Sequence, residues 1–220
     1  FLGFSSYQAI GVGLASDIIA SAVSAWTYHK SGNLDIKDNL LLLFVTLGVT
    51  FVCSILAKFL PDHAVGIWMQ ISMVIIGLRF LLKPVTRTRE QMKQVSQREH
   101  NIKSILGGLY IGAVCGLMGA GGGMMLLFVL TSLLGYEMHI AVGTSVFIMT
   151  FTALTGGVSH MVIGGLPDIQ VLILCVVFTL LWARISARIA NKVSSKTLNR
   201  VVGTVMVVTG VVILIVDYLI

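Results

Sequence analysis

Apolar stretches of roughly 20 residues recur along this chain, at about 5–28, 38–60, 66–82, 140–163, 168–190 and 198–219. Each is near the length a helix needs to cross about 30 Å of hydrocarbon. A spanning segment must satisfy its backbone internally, so it is a helix or part of a closed barrel. The runs are continuous and show no period-two alternation, which argues against a barrel. With 56% hydrophobic and 11% charged residues, the chain is far from the soluble norm of about 25% charged. The expectation is an all-α, polytopic transmembrane helical protein with six crossings.

The net charge of +6 sits in a few short loops and reads as an orientation signal, with no nucleic-acid partner implied. Cys53, Cys115 and Cys175 lie singly in apolar runs, a pattern of small packing residues that implies no metal site. No phosphate-binding GxxxxGK[ST] motif is present, so any gradient driving transport comes from the membrane. No cofactor is called for. The chain opens in an apolar context with no charged n-region or cleavage site.

Shifted by 132 residues, "AIGVGLASDIIASAVSAWTYHKSGNLD" at 9–35 falls without gaps on "AVGTSVFIMTFTALTGGVSHMVIGGLP" at 141–167. Ala9 meets Ala141, Gly11 meets Gly143, Gly32 meets Gly164 and Leu34 meets Leu166. Both copies continue as turn, helix, tight connection and helix, which supports an internal duplication. The division is a first transmembrane repeat at 1–83, a basic cytoplasmic linker at 84–103 and a second repeat at 104–220. Before the second copy stands "MGAGGGMM" at 118–125. Its counterpart falls ahead of residue 1, so the first repeat is expected to be N-terminally incomplete here.

Charge placement decides what that glycine cluster does. Lys83, Arg87, Arg89, Lys93, Arg98 and Lys103 crowd the linker, and Arg184, Arg188, Lys192, Lys196 and Arg200 occupy the segment from the end of the fifth run to the start of the sixth. Both clusters should face the cytoplasm. They do so only if 105–135 enters the membrane and returns as a hairpin of two short helices, 105–118 and 123–135. Three crossings then follow the hairpin in each copy, an odd number, which makes the copies an inverted-topology repeat of the kind found in secondary transporters.

Gly121, Gly122 and Gly123 leave backbone N–H groups free at a helix start, an arrangement suited to an anion. The alternative is close helix packing, which suits Gly107, Gly108, Gly112 and Gly116 better than three consecutive glycines. Thr144 and Ser145 could donate hydroxyls to the same anion or bond back to their own helix. Asp17 lies mid-helix, where a carboxylate costs about 2.5–3.5 kcal/mol. It is a candidate for coupling-ion or proton binding, for a structural hydrogen bond, or for direct contact with the substrate. Trp26, Tyr28, Trp68, Tyr136 and Tyr218 fit interfacial belts, as do His29 and His160 near helix ends. An intramembrane aspartyl enzyme would need two carboxylates sharing a proton, and Asp217 is too near the chain end to pair with Asp17. A secondary transporter is favoured over an enzyme, with a passive anion channel as the alternative.

The stretch "GLMGAGGGMMLLFVLTSLLGYEMHIAVGTSVF" at 116–147, with its echo at 9–35, resembles the TauE/SafE family of sulfite exporters. Gly119, Gly121, Gly122 and Gly123 match the family's glycine-rich turn, and Ala141, Gly143, Thr144 and Ser145 its Ala-x-Gly-Thr-Ser helix start. Gly32, Asn33 and Asp35 match the turn that follows. Val12 and Gly13 replace the Thr-Ser pair in the first copy, and Asp17 is an addition. The resemblance implies export of sulfite or an organosulfonate across the cytoplasmic membrane. The implied partners are a small anionic substrate and the lipid bilayer, with a homo-oligomer left open.

Overall fold

The computed structural model describes residues 6–56, 62–85, 87–92, 96–118, 122–164 and 168–219. Gly119 and Gly121 lie outside them, as do the side chains of Trp68, His160, Asp217 and Tyr218. The described residues form helices and no strand. In chain order these are α1 (Ser6–Lys30), α2 (Leu40–Leu56, entered through a 3-10 turn Lys37–Asn39), α3 (Asp62–Leu82), α4 (Arg89–Met92) and α5 (Gln97–Met118). They continue with α6 (Gly122–Phe128, extended by a π turn Val129–Leu133), α7 (Met138–Gly164), α8 (Ile169–Ala190) and α9 (Ser195–Leu219).

Among the described residues, four helices have the length and apolarity to cross a membrane: Lys37–Leu56, Met138–Val158, Ile169–Ala190 and Ser195–Val216. Shorter apolar helices cover Gln70–Leu82 and Gly122–Leu133. Phe44, Phe178 and Trp182 stand more than half exposed, as suits side chains that meet lipid. Only Ala187 of α8 is buried, so α8 is an outer helix.

The helices meet in pairs whose directions are fixed by close approaches. Leu14 of α1 packs on Gly157 of α7, and Tyr28 on Gly143, so these two run antiparallel. Gly77 of α3 meets Gly203 of α9, and Val74 meets Gly210, again antiparallel. Gly108, Gly112 and Gly116 of α5 receive Val45, Val49 and Cys53 of α2 in turn, so α2 and α5 run parallel. Within 97–133 the chain turns back on itself. Gly107 meets Val129, the Tyr110 hydroxyl meets Met125 Sδ at 3.8 Å, and Gly122 meets Cys115 Sγ.

Two expectations shift by identifiable causes. The first arm of that hairpin begins at Gln97 rather than near 105, because a Glu99–Lys103 ion pair and a Gln97–Asn101 hydrogen bond support two further turns. The second arm widens to π at Val129–Leu133, where the Thr131 hydroxyl donates to the carbonyls of Leu127 (2.7 Å) and Phe128 (3.2 Å). Gly32 and Gly135 close α1 and the π turn with φ of 68° and 76°. The Asn33 N–H returns to Tyr28 O at 2.9 Å, a C-terminal motif that needs a left-handed residue.

The core is shared between the hairpin and α2, α7 and α9: Leu42, Ile111, Leu126, Leu130, Met138, Ile148 and Met206 are fully buried. Tyr28 and Tyr136 are also buried, which corrects their assignment to an interfacial belt. Trp26 stays exposed, with Lys30 Nζ 5.3 Å from its ring.

Candidate functional site

A cavity of about 460 Å³ lies between α1, α6, α7 and α9. Asp17 comes from α1, Gly123, Met124 and Leu127 from α6, Ser145 and Met149 from α7, and Val205 and Met206 from α9. Asp17, Gly123 and Ser145, each selected from the sequence, are thus brought together from three separate helices. Val142, Val146, Val201 and Val202 also line a second cavity of about 420 Å³, which reaches Ser24, Tyr28, Ala187 and Val193. The two cavities therefore adjoin through four valines.

The remaining expected residues stand apart. Thr144 is buried, and its hydroxyl bridges the Asp35 backbone, accepting from the N–H at 3.2 Å and facing the carbonyl at 3.5 Å. It ties the α1–α2 connection to α7. A Cβ on Gly122 would lie 2.2 Å from Cys115 Sγ, and one on Gly123 would lie 2.7 Å from Met149 Sδ. A side chain at Gly122 would displace Cys115, and one at Gly123 would push aside the flexible Met149 side chain. Gly123 in addition lines the cavity wall in the first turn of α6.

The donors and acceptors in the cavity are few. Ser145 Oγ donates to Val142 O at 2.8 Å, leaving lone pairs toward the cavity. The Asp17 carboxylate has no hydrogen bond or ion pair among the described residues, although Ser21 Oγ donates to the Asp17 backbone carbonyl at 2.5 Å. Thr150 Oγ1 donates to Ser21 Oγ at 3.0 Å, joining α7 to α1 one turn beyond Asp17. Among the described residues no cluster of His, Cys, Asp or Glu could hold a metal ion.

The linker end of the bundle has a different polar region, whose pairing the sequence reading did not anticipate. Asn33 Nδ2 donates to Asn191 Oδ1 at 2.7 Å, and Arg89 donates to Asn33 Oδ1. Asn199, fully buried, accepts from Val85 N–H at 3.0 Å and donates to Ser195 O at 2.7 Å. Glu137 accepts from Ser195 Oγ at 2.9 Å and faces His139 Nδ1 at 2.8 Å, while His139 Nε2 faces Val193 O at 3.0 Å. Burial pushes the Glu137 carboxyl up. The hydrogen bonds from His139, Ser195 and the Ile140 N–H outweigh it and hold the group below its ordinary value.

Beside this lies a cavity of about 500 Å³ walled in part by Asp35, Asp38, Arg89, His100 and Tyr136. The Tyr136 hydroxyl accepts from Asn39 Nδ2 at 2.7 Å and donates to Asp35 Oδ2 at 3.1 Å. Burial first, and then the Asp35 charge, push its pKa up. A readable signal for part of this region was two asparagines at helix starts, Asn39 just before the run Leu40–Leu43 and Asn199 between Leu198 and Arg200.

Comparison with known proteins decides the family. The model of the sulfite exporter TauE/SafE family matches residues 1–213. The chain belongs to the TauE/SafE family. It is also similar to a probable membrane transporter protein, YunE, of Bacillus subtilis (strain 168), at 25% identity over 169 residues. That match covers 71% of this chain and 62% of the relative, so the chain spans about three fifths of the relative's length. No solved structure gives a significant match. The family is one of membrane proteins, and several of the described helices are long and apolar enough to make a multi-pass membrane protein.

Proposed function

We propose that this TauE/SafE protein is a secondary transporter that exports a small sulfur-containing anion, sulfite or an organosulfonate, across the cytoplasmic membrane, coupled to an ion or proton. The observation that carries the proposal is the membrane cavity that gathers Asp17, Gly123 and Ser145 from three helices. The anion meets N–H groups of Gly121 to Gly123 and the Ser145 hydroxyl once that hydroxyl releases Val142 O. Thr144 acts indirectly, by holding the Asp35 backbone against the start of α7. Asp17 carries or gates the coupling proton.

The antiparallel pairs support an inverted repeat. With counterparts 132 residues apart, exchanging the halves turns the Leu14–Gly157 approach into Ala25–Val146, within the same α1–α7 crossing. The Gly77–Gly203 approach likewise becomes Ile71–Thr209, within the α3–α9 pair. Alternating access is then a rocking of the halves about these crossings. The linker end, bearing Arg87, Arg89 and Arg188, faces the cytoplasm, and the second cavity is the approach from that side.

The test is flux in proteoliposomes. Sulfite uptake that saturates and follows an imposed pH gradient supports a coupled carrier. Flux that rises linearly with concentration and ignores the proton gradient makes the protein an anion channel instead.

A further inference from the structure

Asp17 shares its 460 Å³ with Gly123 and Ser145, and no described side chain of that cavity carries a positive charge. The other walls are apolar side chains of α6, α7 and α9. Charged groups on the elements around α1 are placed elsewhere. On α7, His139 is engaged by Glu137. Arg184 and Arg188 of α8, and Lys196 and Arg200 of α9, are exposed. The sequence of α6 contains no titratable residue, and His29 and Lys30 stand exposed at the far end of α1. His160 and Asp217 fall outside the described side chains.

An anion in so small a space sits within roughly 6 Å of the Asp17 carboxylate, and at an effective dielectric near 20 the repulsion weakens its binding about 100-fold. A proton on Asp17 abolishes that repulsion. By linkage, the bound anion favours the protonated acid by the same factor. Proton and anion thus assist one another, whereas an exchanger needs them to compete.

We propose that the cavity binds one proton, on the Asp17 carboxyl, together with one monovalent sulfur oxyanion, and that the two cross as an electroneutral pair. This rests on the anion reading above and adds the sign of the coupling and the charge of the substrate. A dianion keeps one uncompensated charge in an apolar cavity, so sulfonates and hydrogen sulfite are accepted in preference to sulfate. Net export then occurs whenever the inside excess of anion outruns the inward proton gradient, and the membrane potential neither drives nor opposes it.

Methanesulfonate is the suitable probe, because it does not itself titrate near neutral pH and any proton taken up belongs to the protein. Calorimetric titration of the full-length protein in two buffers of different ionisation enthalpy counts that proton. The expected result is an uptake approaching one proton per anion, with affinity falling up to tenfold per pH unit where Asp17 is ionised. Asp17→Asn should bind methanesulfonate with no proton uptake and no pH dependence. Binding to the unmodified protein without proton uptake overturns the coupling and leaves the anion site standing. In proteoliposomes, methanesulfonate flux that follows a potassium–valinomycin potential also overturns it. Failure of methanesulfonate, sulfite and hydrogen sulfite to bind at any pH removes the anion reading and the coupling with it.

Discussion

The two polar regions of the molecule use their polar groups in opposite ways. At the linker end Asn33, Asn191, Asn199, Glu137 and His139 each meet another group of the chain. In the membrane cavity the Asp17 carboxylate meets none among the described residues, and Ser145 turns its proton away to Val142 O. Buried polar groups are normally paired, because each unpaired one carries its full desolvation cost. The paired set is therefore the fastening that holds helix ends in register. The unpaired Asp17 carboxylate is what a transported species would complete.

The contrast breaks most readily at the closest approach between the fastened helices. A Cβ on Gly143 would lie 1.9 Å from the Asn33 backbone carbonyl, an overlap that no side-chain rotation relieves. Gly143→Ala should therefore cost about 3 kcal/mol or more. For a chain of this size that is a fall of roughly 6–12 °C in Tm, read by thermal unfolding in detergent. A Tm within a degree of the parent would mean that α1 and α7 do not meet there.

Asn199 should come next. It fixes both Val85 and the start of α9, and Asn199→Ala strands buried backbone groups at a cost of about 1–3 kcal/mol. If the linker end is the fastening, this loss appears in Tm while the affinity for methanesulfonate stays as it was. A variant with unchanged Tm and lost binding would reverse the division between the two regions.

Glu137 gives a smaller effect with a defined pH dependence. Its folded pKa lies below its ordinary value near 4.5, so its contribution is fully present above that value. It is lost as pH falls through the folded pKa. The Tm gap between the parent and Glu137→Gln should thus be greatest at neutral pH and should close progressively below about pH 4.5. A gap that is constant from pH 7 to pH 3 would mean that the carboxylate charge plays no part in the contact.

The sequence made one of these regions far easier to read than the other. Continuous apolar runs and the placement of basic residues pointed to helices and to a returning segment, because hydrocarbon allows few other solutions. Asp17 was conspicuous because a lone carboxylate in an apolar run is costly wherever it ends up. The linker-end network was not legible, since Asn33, Arg89 and Asn191 come from segments 56 to 158 residues apart and each alone looks like an ordinary loop residue. Thr144 and Ser145, adjacent in sequence, are separated by the pitch of α7: one reaches the Asp35 backbone and the other the cavity. Tyr136 looked like a belt residue, because its partners Asn39 and Asp35 lie about 100 residues away.

The smallest expected change in stability belongs to Asp17, and it is the one that separates the regions most sharply. If the carboxylate were a structural hydrogen-bonding residue, Asp17→Asn should lower Tm as Asn199→Ala does. With no partner among the described residues, its removal strands nothing, and the amide is cheaper than a carboxylate to hold in an apolar cavity. Asp17→Asn should therefore leave the stability equal to the parent's or higher by up to about 1 kcal/mol, a rise of at most roughly 4 °C. Its stability should also lose the pH dependence that Asp17 contributes, while flux through the variant no longer follows a proton gradient. A fall in Tm comparable to that of Asn199→Ala would place Asp17 with the fastening and leave the cavity without its proton carrier.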